Sequence, residues 1–271
     1  MNSRTENAVG ENRAMNDTGN QSTDAATGIV TAAIIVIGDE ILSGRTKDKN
    51  IGYIAEHCTN IGIQVKEVRV VPDDEDIIVG AVNELRARFT YVFTTGGIGP
   101  THDDITADCI AKAFGVSIDV DQRALDLMMP AYKARGVEIT PARLRMARIP
   151  DGADLVENSI STAPGFMLDN VITMAGIPNI MQVMLDAVTP RLRKGRMMHS
   201  QSIDLDHPEG GIADMLKEHQ ALYPDVAMGS YPTMRGNRPC TQLVLRSIDA
   251  SELQEAYDGL MNKLRNQSLI A

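Results

Sequence analysis

A glycine-rich segment followed by acidic residues is the part of this sequence with the clearest capacity for chemistry. It reads TTGGIGPTHDDIT over residues 94–106. Glycine permits positive φ angles and close approach of other atoms, so consecutive N–H groups in such a bend can surround an anion. The N-terminus of a following helix adds positive charge. We therefore predict a phosphate-binding bend, which consists of Thr95, Gly96, Gly97, Ile98, Gly99 and Thr101.

Carboxylates near this segment in the predicted fold can hold a divalent cation, Mg²⁺ or a similar ion, against phosphoryl oxygens. We predict that Glu40, Asp103 and Asp104 bind the metal. Asp73 and Asp104 are the predicted catalytic residues, and Asp73 orients a water molecule. The simpler alternative is a tight turn in which Asp104 only caps the following helix. The Thr-Thr pair before the glycines and the Asp-Asp pair after them favour the functional interpretation.

Other polar residues near the segment have two open interpretations each. His102 either contacts a phosphate or metal, or is an exposed loop residue. Arg143, Arg145 and Arg148 either reach a ligand phosphate or, more simply, form the solvated face of a helix.

The elements that position these residues alternate between strands and helices. Residues 32–37 (AAIIVI) form a continuous apolar run, which is typical of a strand buried on both faces. Asp48 is the predicted cap of a helix that ends at Asn60, and further strands are predicted at 61–71 and 91–94. The helix that begins near residue 72 has an apolar stripe at helical spacing: Ile77, Ile78, Ala81, Val82 and Leu85. This alternation predicts a parallel sheet whose ligands bind beyond the carboxyl ends of the strands.

The remaining elements complete one large domain and a smaller one. Helices are predicted at residues 104–114, 121–135 and 140–147, strands at 165–168 and 171–174, and a further helix that ends near residue 193. Beyond them we predict strand, helix, strand, strand and helix at 197–203, 212–222, 226–231, 241–247 and 251–265. The predicted organisation is a disordered tail at 1–28, a three-layer α/β sandwich with a mainly parallel sheet at 29–195, and a small α+β subdomain at 196–271.

The composition of the chain indicates which binding partners and which cell compartment to expect. The 271 residues include 26 Lys and Arg against 36 Asp and Glu, a formal net charge of −10, which argues against a nucleic-acid partner. The C-terminal element order has some similarity to KH-like modules, but its sequence lacks their Gly-x-x-Gly clamp. The three cysteines are far apart, no apolar run reaches about 18–20 residues and no signal peptide is visible. We therefore expect a reduced, cytoplasmic protein without a membrane anchor.

Several ordered motifs together resemble one family. They are GDEILSG at 38–44 with Asp48 and Asn50, the turn at 72–73, the segment at 94–106, APGF at 163–166, Gly176-x-Pro178 and GSYP at 229–232. This set is similar to the molybdopterin-binding domain of the MoaB/Mog type, and most similar to the N-terminal part of competence/damage-inducible protein A (CinA). The resemblance covers residues 31–265. It departs from that pattern at residues 174–176, where Met-Ala-Gly replaces Leu-Pro-Gly, and the C-terminal deamidase domain of larger CinA proteins is not expected.

The resemblance implies a domain that binds a phosphorylated pterin or nucleotide, with molybdopterin as one such ligand, and that assembles as dimers or trimers. The motif positions imply ligand contacts at Gly38, Asp39, Ser43, Asn50, Gly176 and Pro178. The predicted activity is that of a metal-dependent nucleotide pyrophosphatase, which hydrolyses the phosphoanhydride of FAD or ADP-ribose. The alternatives are a non-catalytic molybdopterin-binding module and an adenylyltransferase of molybdenum cofactor biosynthesis.

Overall fold

The computed structural model describes residues 28–270, so the predicted tail at 1–28 lies outside the described residues apart from Gly28. The chain forms two compact units. The first contains the described residues up to Ile51 together with Lys66–Pro190, and the second contains Gly52–Val65 and the described residues from Arg191 onward. The predicted domain boundary between residues 195 and 196 lies shortly after this division. No feature of the sequence indicated that residues 52–65 would be grouped with the C-terminal part.

Strands and helices alternate along the first part of the chain. In order they are β1 (Val30–Ile37), α1 (Asp39–Leu42), α2 (Asn50–Asn60), β2 (Ile63–Val71), α3 (Glu75–Arg88), β3 (Tyr91–Thr95) and α4 (Thr106–Phe114). They continue with β4 (Ile118–Val120), α5 (Gln122–Ala134), α6 (Pro141–Leu144), β5 (Arg148–Pro150), β6 (Asp154–Val156), β7 (Gly165–Leu168), β8 (Val171–Met174) and α7 (Pro178–Val188). Short 3₁₀ turns occupy Arg145–Ala147 and Thr189–Arg191.

A six-stranded sheet in the order β2-β1-β3-β8-β7-β6 organises these elements. Neighbours β1 and β3 are parallel, as are β3 and β8, whereas β7 pairs antiparallel with both β8 and β6. The predicted α/β fold with a mainly parallel sheet is therefore confirmed. Because β1 and β3 have a strand on each side, their carboxyl ends lie at the middle of one edge of the sheet.

The core reflects the sequence pattern closely. Every residue of β3 is buried, and in β1 only Thr31 is partly exposed. In α3 the buried residues are Ile78, Ala81, Val82 and Leu85, but Ile77 is 47% exposed, so its predicted place in the stripe is wrong. The residues at 78, 81, 82 and 85 define one helical face, and residue 77 lies about 90° from the centre of that face.

Helix caps agree with the sequence better than short strands do. The carboxylate of Asp48 accepts hydrogen bonds from the N–H groups of Asn50 and Ile51, and Asp121 and Thr140 cap α5 and α6. Strands β4, β5 and β6 were not predicted, because three residues are too few to show an alternating pattern.

The second unit contains an antiparallel sheet in the order β10-β11-β9. Its elements are β9 (His199–Leu205), α8 (Ala213–Leu222), β10 (Ala227–Arg235), β11 (Arg238–Ser247) and α9 (Ala250–Asn266), with a 3₁₀ turn at Glu209–Gly211. Leu243 and Leu245 of the sheet pack in one apolar cluster with Leu253 and Leu260 of α9. The predicted order of strand, helix, strand, strand and helix is therefore found.

Two further sequence expectations concern cysteines and membranes. Cys58 and Cys109 are buried, as predicted, and burial raises the pKa of each thiol to about 12, so both remain protonated at neutral pH. None of the helices within residues 28–270 combines the length and apolar character that crossing a bilayer requires.

Candidate functional site

The loops that follow β1, β2, β3 and β8 meet at the same edge of the sheet. The N–H of Gly38, after β1, donates to the carbonyl of Val71 at the end of β2, at 3.1 Å. The N–H of Gly96, after β3, donates to the carbonyl of Met174 at the end of β8, also at 3.1 Å. Parallel strands place their carboxyl ends together, which is why segments distant in sequence converge here.

Gly96 and Gly97 form a bend that side chains would obstruct. Their φ angles are +104° and +67°. A Cβ atom on Gly96 would lie 2.1 Å from the carbonyl oxygen of Ile37, and one on Gly97 would lie 2.1 Å from the hydroxyl oxygen of Thr106. Both positions therefore require glycine for backbone conformation and for space.

Three N–H groups within this bend have no hydrogen-bond partner among the residues that the structure describes. The carbonyl of Gly97 accepts a hydrogen bond from Thr106, the first residue of α4, at 2.9 Å. By contrast, the N–H groups of Gly97, Ile98 and Gly99 donate to no atom of residues 28–270, although the three residues are half-buried. Three consecutive donors without acceptors form the kind of site that anions bind.

Asp104 closes the loop on itself and does not cap α4. Its carboxylate accepts a hydrogen bond from the N–H of Thr101 at 2.8 Å and another from the Thr101 hydroxyl. A Cβ atom on Gly99 would lie 2.6 Å from the same carboxylate. The helix begins only at Thr106, so the predicted start at residue 104 is wrong, and the alternative in which Asp104 caps the helix is not found. The reason is that Asp104 has a closer donor in its own turn.

A group of carboxylates lies around Asp73 on the same edge. The N–H of Asp39 donates to the Asp73 carboxylate at 3.0 Å. Burial raises the pKa of Asp73, and the negative charges of Asp39, Glu40 and Asp103 raise it further, while the hydrogen bond from Asp39 opposes this shift. Glu40 and Asp103 thus lie close enough to Asp73 for their charges to affect its pKa, and the roles assigned to these residues remain predictions.

The carboxylates do not form a complete metal site. Within residues 28–270, no group of three or more His, Cys, Asp or Glu side chains is arranged to hold a metal ion. The predicted set of Glu40, Asp103 and Asp104 is thus not preassembled, and the assignment of a metal to it remains a prediction.

One cavity lies on the Asp104 side of the glycine bend. It measures about 10 Å³ and is lined by Gly97, Ile98, Gly99, Asp104, Arg145 and Arg148, among others. The guanidinium of Arg145 donates to the carbonyl of Asp104 at 3.0 Å, while its Nε is buried without a partner in the described part of the chain.

The solvated-face interpretation is wrong, because Arg143, Arg145 and Arg148 are all only partly exposed. Arg145 and Arg148 are half-buried, and Arg148 forms an ion pair with Asp108 at 2.7 Å. Helix α6 ends at Leu144 and tightens into a 3₁₀ turn, so the helical spacing assumed from sequence no longer applies. The sequence pattern therefore did not indicate that Arg145 supports the glycine loop.

A second cavity, of about 60 Å³, lies on the other side of the bend. It is lined by Glu40, Lys47, Lys49, Asn50, Thr95, Gly176 and Pro178, among others. The amide nitrogen of Asn50 donates to the carbonyl of Gly176 at 2.9 Å. The structure thus brings together three of the residues predicted to contact ligand, but on a different side of the bend from Asp104. The two lysines were not predicted, and their only signal is that they flank Asp48.

The remaining predicted residues lie at the surface of the same edge. Ser43 is exposed, and its hydroxyl donates to the carbonyl of Glu40 at 3.3 Å, which closes α1. His102 has a side chain that is 98% exposed, with its Nδ1 3.9 Å from the Asp103 carboxylate. His102 thus lies in an exposed loop, and a ligand contact by it remains a prediction.

Known proteins resemble this chain in sequence and in structure. A protein of Pyrobaculum arsenaticum is 35% identical over 243 residues, which cover 86% of this chain and 91% of that protein. A protein of Saccharolobus islandicus is 39% identical over 250 residues, with 89% and 94% covered. The crystal structure of the protein CinA, of unknown function, from Thermoplasma acidophilum superposes with a TM-score of 0.56 at 36% identity and covers 60% of this chain and 98% of that one.

Two family models divide the chain between them. Residues 197–271 match the model described as the middle domain of FAD synthase. Residues 33–194 match the model described as a probable molybdopterin binding domain, and this segment contains the glycine bend, the carboxylates and both cavities. The match to the molybdopterin-binding model extends over more than half of the chain. The chain therefore belongs to the molybdopterin-binding domain family of the MoaB/Mog type.

Proposed function

We propose that this protein binds a phosphorylated pterin or nucleotide and hydrolyses its phosphoanhydride bond with the help of a divalent cation. The observation that supports the proposal is the row of unpaired N–H groups at Gly97, Ile98 and Gly99. Such donors stabilise oxygen atoms on which negative charge develops. The matches to a molybdopterin-binding model and to an FAD synthase model agree with a pterin or nucleotide ligand.

The carboxylates explain why a cation would take part. A polyphosphate that approaches Asp39, Glu40, Asp73 and Asp103 is repelled unless a positive charge lies between them. Mg²⁺ typically binds through one or two carboxylates and completes its coordination with water and phosphate oxygens, so it does not need a preassembled three-carboxylate site. Glu40, Asp103 and Asp104 would supply the carboxylates. When bound, the ion would neutralise charge on the phosphoryl oxygens.

The residues of the chain have separate roles in this reaction. Asp73, with its raised pKa, accepts a proton from the water molecule whose oxygen attacks phosphorus. The bridging P–O bond breaks, and the N–H groups at 97–99 stabilise the oxygens of the phosphate that they hold. FAD and water then yield FMN and AMP, and ADP-ribose and water yield ribose 5-phosphate and AMP.

A second function is favoured by one observation. Because residues 33–194 match a probable molybdopterin binding domain, the same bend would also serve a binding module that holds molybdopterin without turnover. An adenylyltransferase would use the bend in the same way, with a pterin phosphate in place of water. The predicted assembly into dimers or trimers remains a prediction in each case.

The test measures AMP released from FAD and from ADP-ribose by the full chain, with and without Mg²⁺. We expect Mg²⁺-dependent AMP from the wild type and at least about 100-fold less from Asp104→Asn. The substituted amide oxygen can still accept the hydrogen bonds from Thr101, so the loop stays closed. Asp214→Asn changes an exposed carboxylate of α8 and serves as the matched control.

Each outcome decides between the functions. Full activity of Asp104→Asn would remove Asp104 from the catalytic residues. Absence of AMP from the wild type, with retained Mg²⁺-dependent binding of pyrophosphate, would reject the hydrolase and support the binding module. Absence of both would reject the proposed function.

A further inference from the structure

The cavity of about 60 Å³ is lined by Asn50 and Thr95, and each has a buried polar side-chain atom without a hydrogen-bond partner within residues 28–270. This volume accommodates several water-sized groups, which is enough for one edge of a planar ring. Its lining belongs entirely to the first compact unit and lies next to the glycine bend. The cavity is therefore placed to bind a second part of a ligand whose phosphates lie on the bend.

Asn50 presents a buried hydrogen-bond acceptor at this cavity. Its side chain is only 3% exposed, and its amide nitrogen is held by the carbonyl of Gly176. A carbonyl can only accept, so the nitrogen and oxygen of the amide cannot exchange places. The amide oxygen has no partner within residues 28–270. The orientation of Asn50 thus leaves an acceptor that requires a donor from outside the chain.

Thr95 adds a buried hydroxyl to the same cavity. It is 1% exposed, and its oxygen has no hydrogen-bond partner among the described residues. Thr94 and Thr173 also have buried hydroxyls without partners, but neither residue lines this cavity or the one beside Asp104. Thr95 is therefore distinguished from its neighbours by its position, and the neighbours provide matched controls.

The lining of the cavity carries charges of both signs, with Lys47 and Lys49 beside the carboxylates of Glu40 and Asp48. Lys47 and Lys49 are exposed, and neither forms an ion pair or hydrogen bond with a residue that the structure describes. The buried acceptor of Asn50 and the buried hydroxyl of Thr95 are complementary to a polar ring edge.

We propose that this cavity binds the lactam edge of a heterocyclic ring, in which an N–H lies beside a C=O. Asn50 accepts from the ring N–H, and the Thr95 hydroxyl donates to the ring carbonyl. Pterins, flavins and guanine have such an edge, and adenine does not. The inference rests on the proposed function, because it assigns the ring of the ligand whose phosphates lie on the glycine bend. It moves Thr95 from the phosphate site to the ring site.

Calorimetric titrations of the full chain with Mg²⁺ present test the assignment. The probes are FMN, GMP and 6-hydroxymethylpterin phosphate, which carry the edge, and AMP and pyrophosphate, which lack it. We expect Thr95→Val to weaken binding of the first three by about 3- to 10-fold and to leave AMP and pyrophosphate unchanged. Thr95→Ser, which keeps the hydroxyl, should retain wild-type affinities, and Thr94→Val should change none. The three arms with the edge show which ring binds tightest.

The outcomes separate this inference from the proposed function. Unchanged affinities in Thr95→Val, or an equal loss for pyrophosphate, would overturn the ring site while the phosphate site stands. If Thr95→Val does not fold, Asn50→Leu is tested instead. A loss of its preference for the probes that carry the lactam edge would support the ring site, and a retained preference would overturn the proposal. If the wild type binds neither pyrophosphate nor any other probe, both the ring site and the proposed function fail.

Discussion

Two groups of charged side chains in the first unit differ in how their charges are balanced. In the first group, the negative charges of Asp39, Glu40 and Asp103 raise the pKa of Asp73. On the surface formed by β2 and α3, Glu67 and Glu84 alternate with Arg69 and Arg88, and the N–O distances are 2.6–3.0 Å. The second group is neutral as a whole, whereas each of the charges that act on the pKa of Asp73 in the first group is negative.

The direction of the pKa shifts shows what this difference means. Hydrogen bonds from Arg69 lower the pKa of Glu84 to about 2, so the fold favours its charged form. Burial and neighbouring charges raise the pKa of Asp73, so the fold disfavours its charged form. A protein retains such a disfavoured charge where a ligand or cation compensates for it, which is why perturbed groups concentrate at functional sites. The Glu–Arg pairs on β2 and α3 stabilise the fold, whereas the group around Asp73 has the perturbed pKa that is typical of functional sites.

The largest difference between the two groups is expected in the rate of hydrolysis. Asp73→Asn keeps an oxygen that accepts from the N–H of Asp39 but cannot take a proton from water. We expect AMP release from FAD to fall by about 10²- to 10⁴-fold. Glu84→Gln should leave the rate unchanged. A rate for Asp73→Asn within twofold of the wild type would show that the unpaired group has no catalytic role.

The second effect is on stability and its pH dependence. At neutral pH, Asp73→Asn removes a disfavoured charge, so we expect a higher Tm than that of the wild type without ligand. As the pH falls through the raised pKa of Asp73, the wild-type side chain becomes protonated and the difference disappears. Thermal unfolding between pH 7 and pH 4 measures this trend, and a lower Tm for the variant at pH 7 would contradict the origin assigned to the shift.

The smallest effect is expected at the paired group. The ion pairs of Glu84 contribute fully to the free energy of unfolding above the ordinary Glu pKa of 4.5, and this contribution is lost as the pH falls toward about 2. Glu84→Gln should therefore lower the Tm slightly at pH 7 and still do so at pH 5. Because the pairs are exposed, 1 M NaCl should abolish most of this difference. A difference that persists in high salt would mean that packing, rather than charge, is responsible.

Sequence patterns predicted several strands and helix caps of the first part of the chain correctly. The apolar run of β1, the strands β7 and β8, and the caps at Asp48, Asp121 and Thr140 all agree with the structure. Local competition for hydrogen bonds explains the failure at Asp104, whose carboxylate accepts from Thr101 in its own turn. A 3₁₀ turn explains the failure at Arg145, because it changes the side-chain spacing that the helix prediction assumed.

By itself, the sequence determined the α/β class, the glycine bend and the chemical types of the site residues, because these follow from hydropathy period and from the conformations that glycine permits. Only the tertiary structure decided that Asp73 and Glu40 share one edge with Asp103, and that Asn50 and Thr95 line a cavity separate from Asp104. The physical reason is that strand order in the sheet, which no local pattern specifies, determines which loop ends meet and which polar atoms are left without partners.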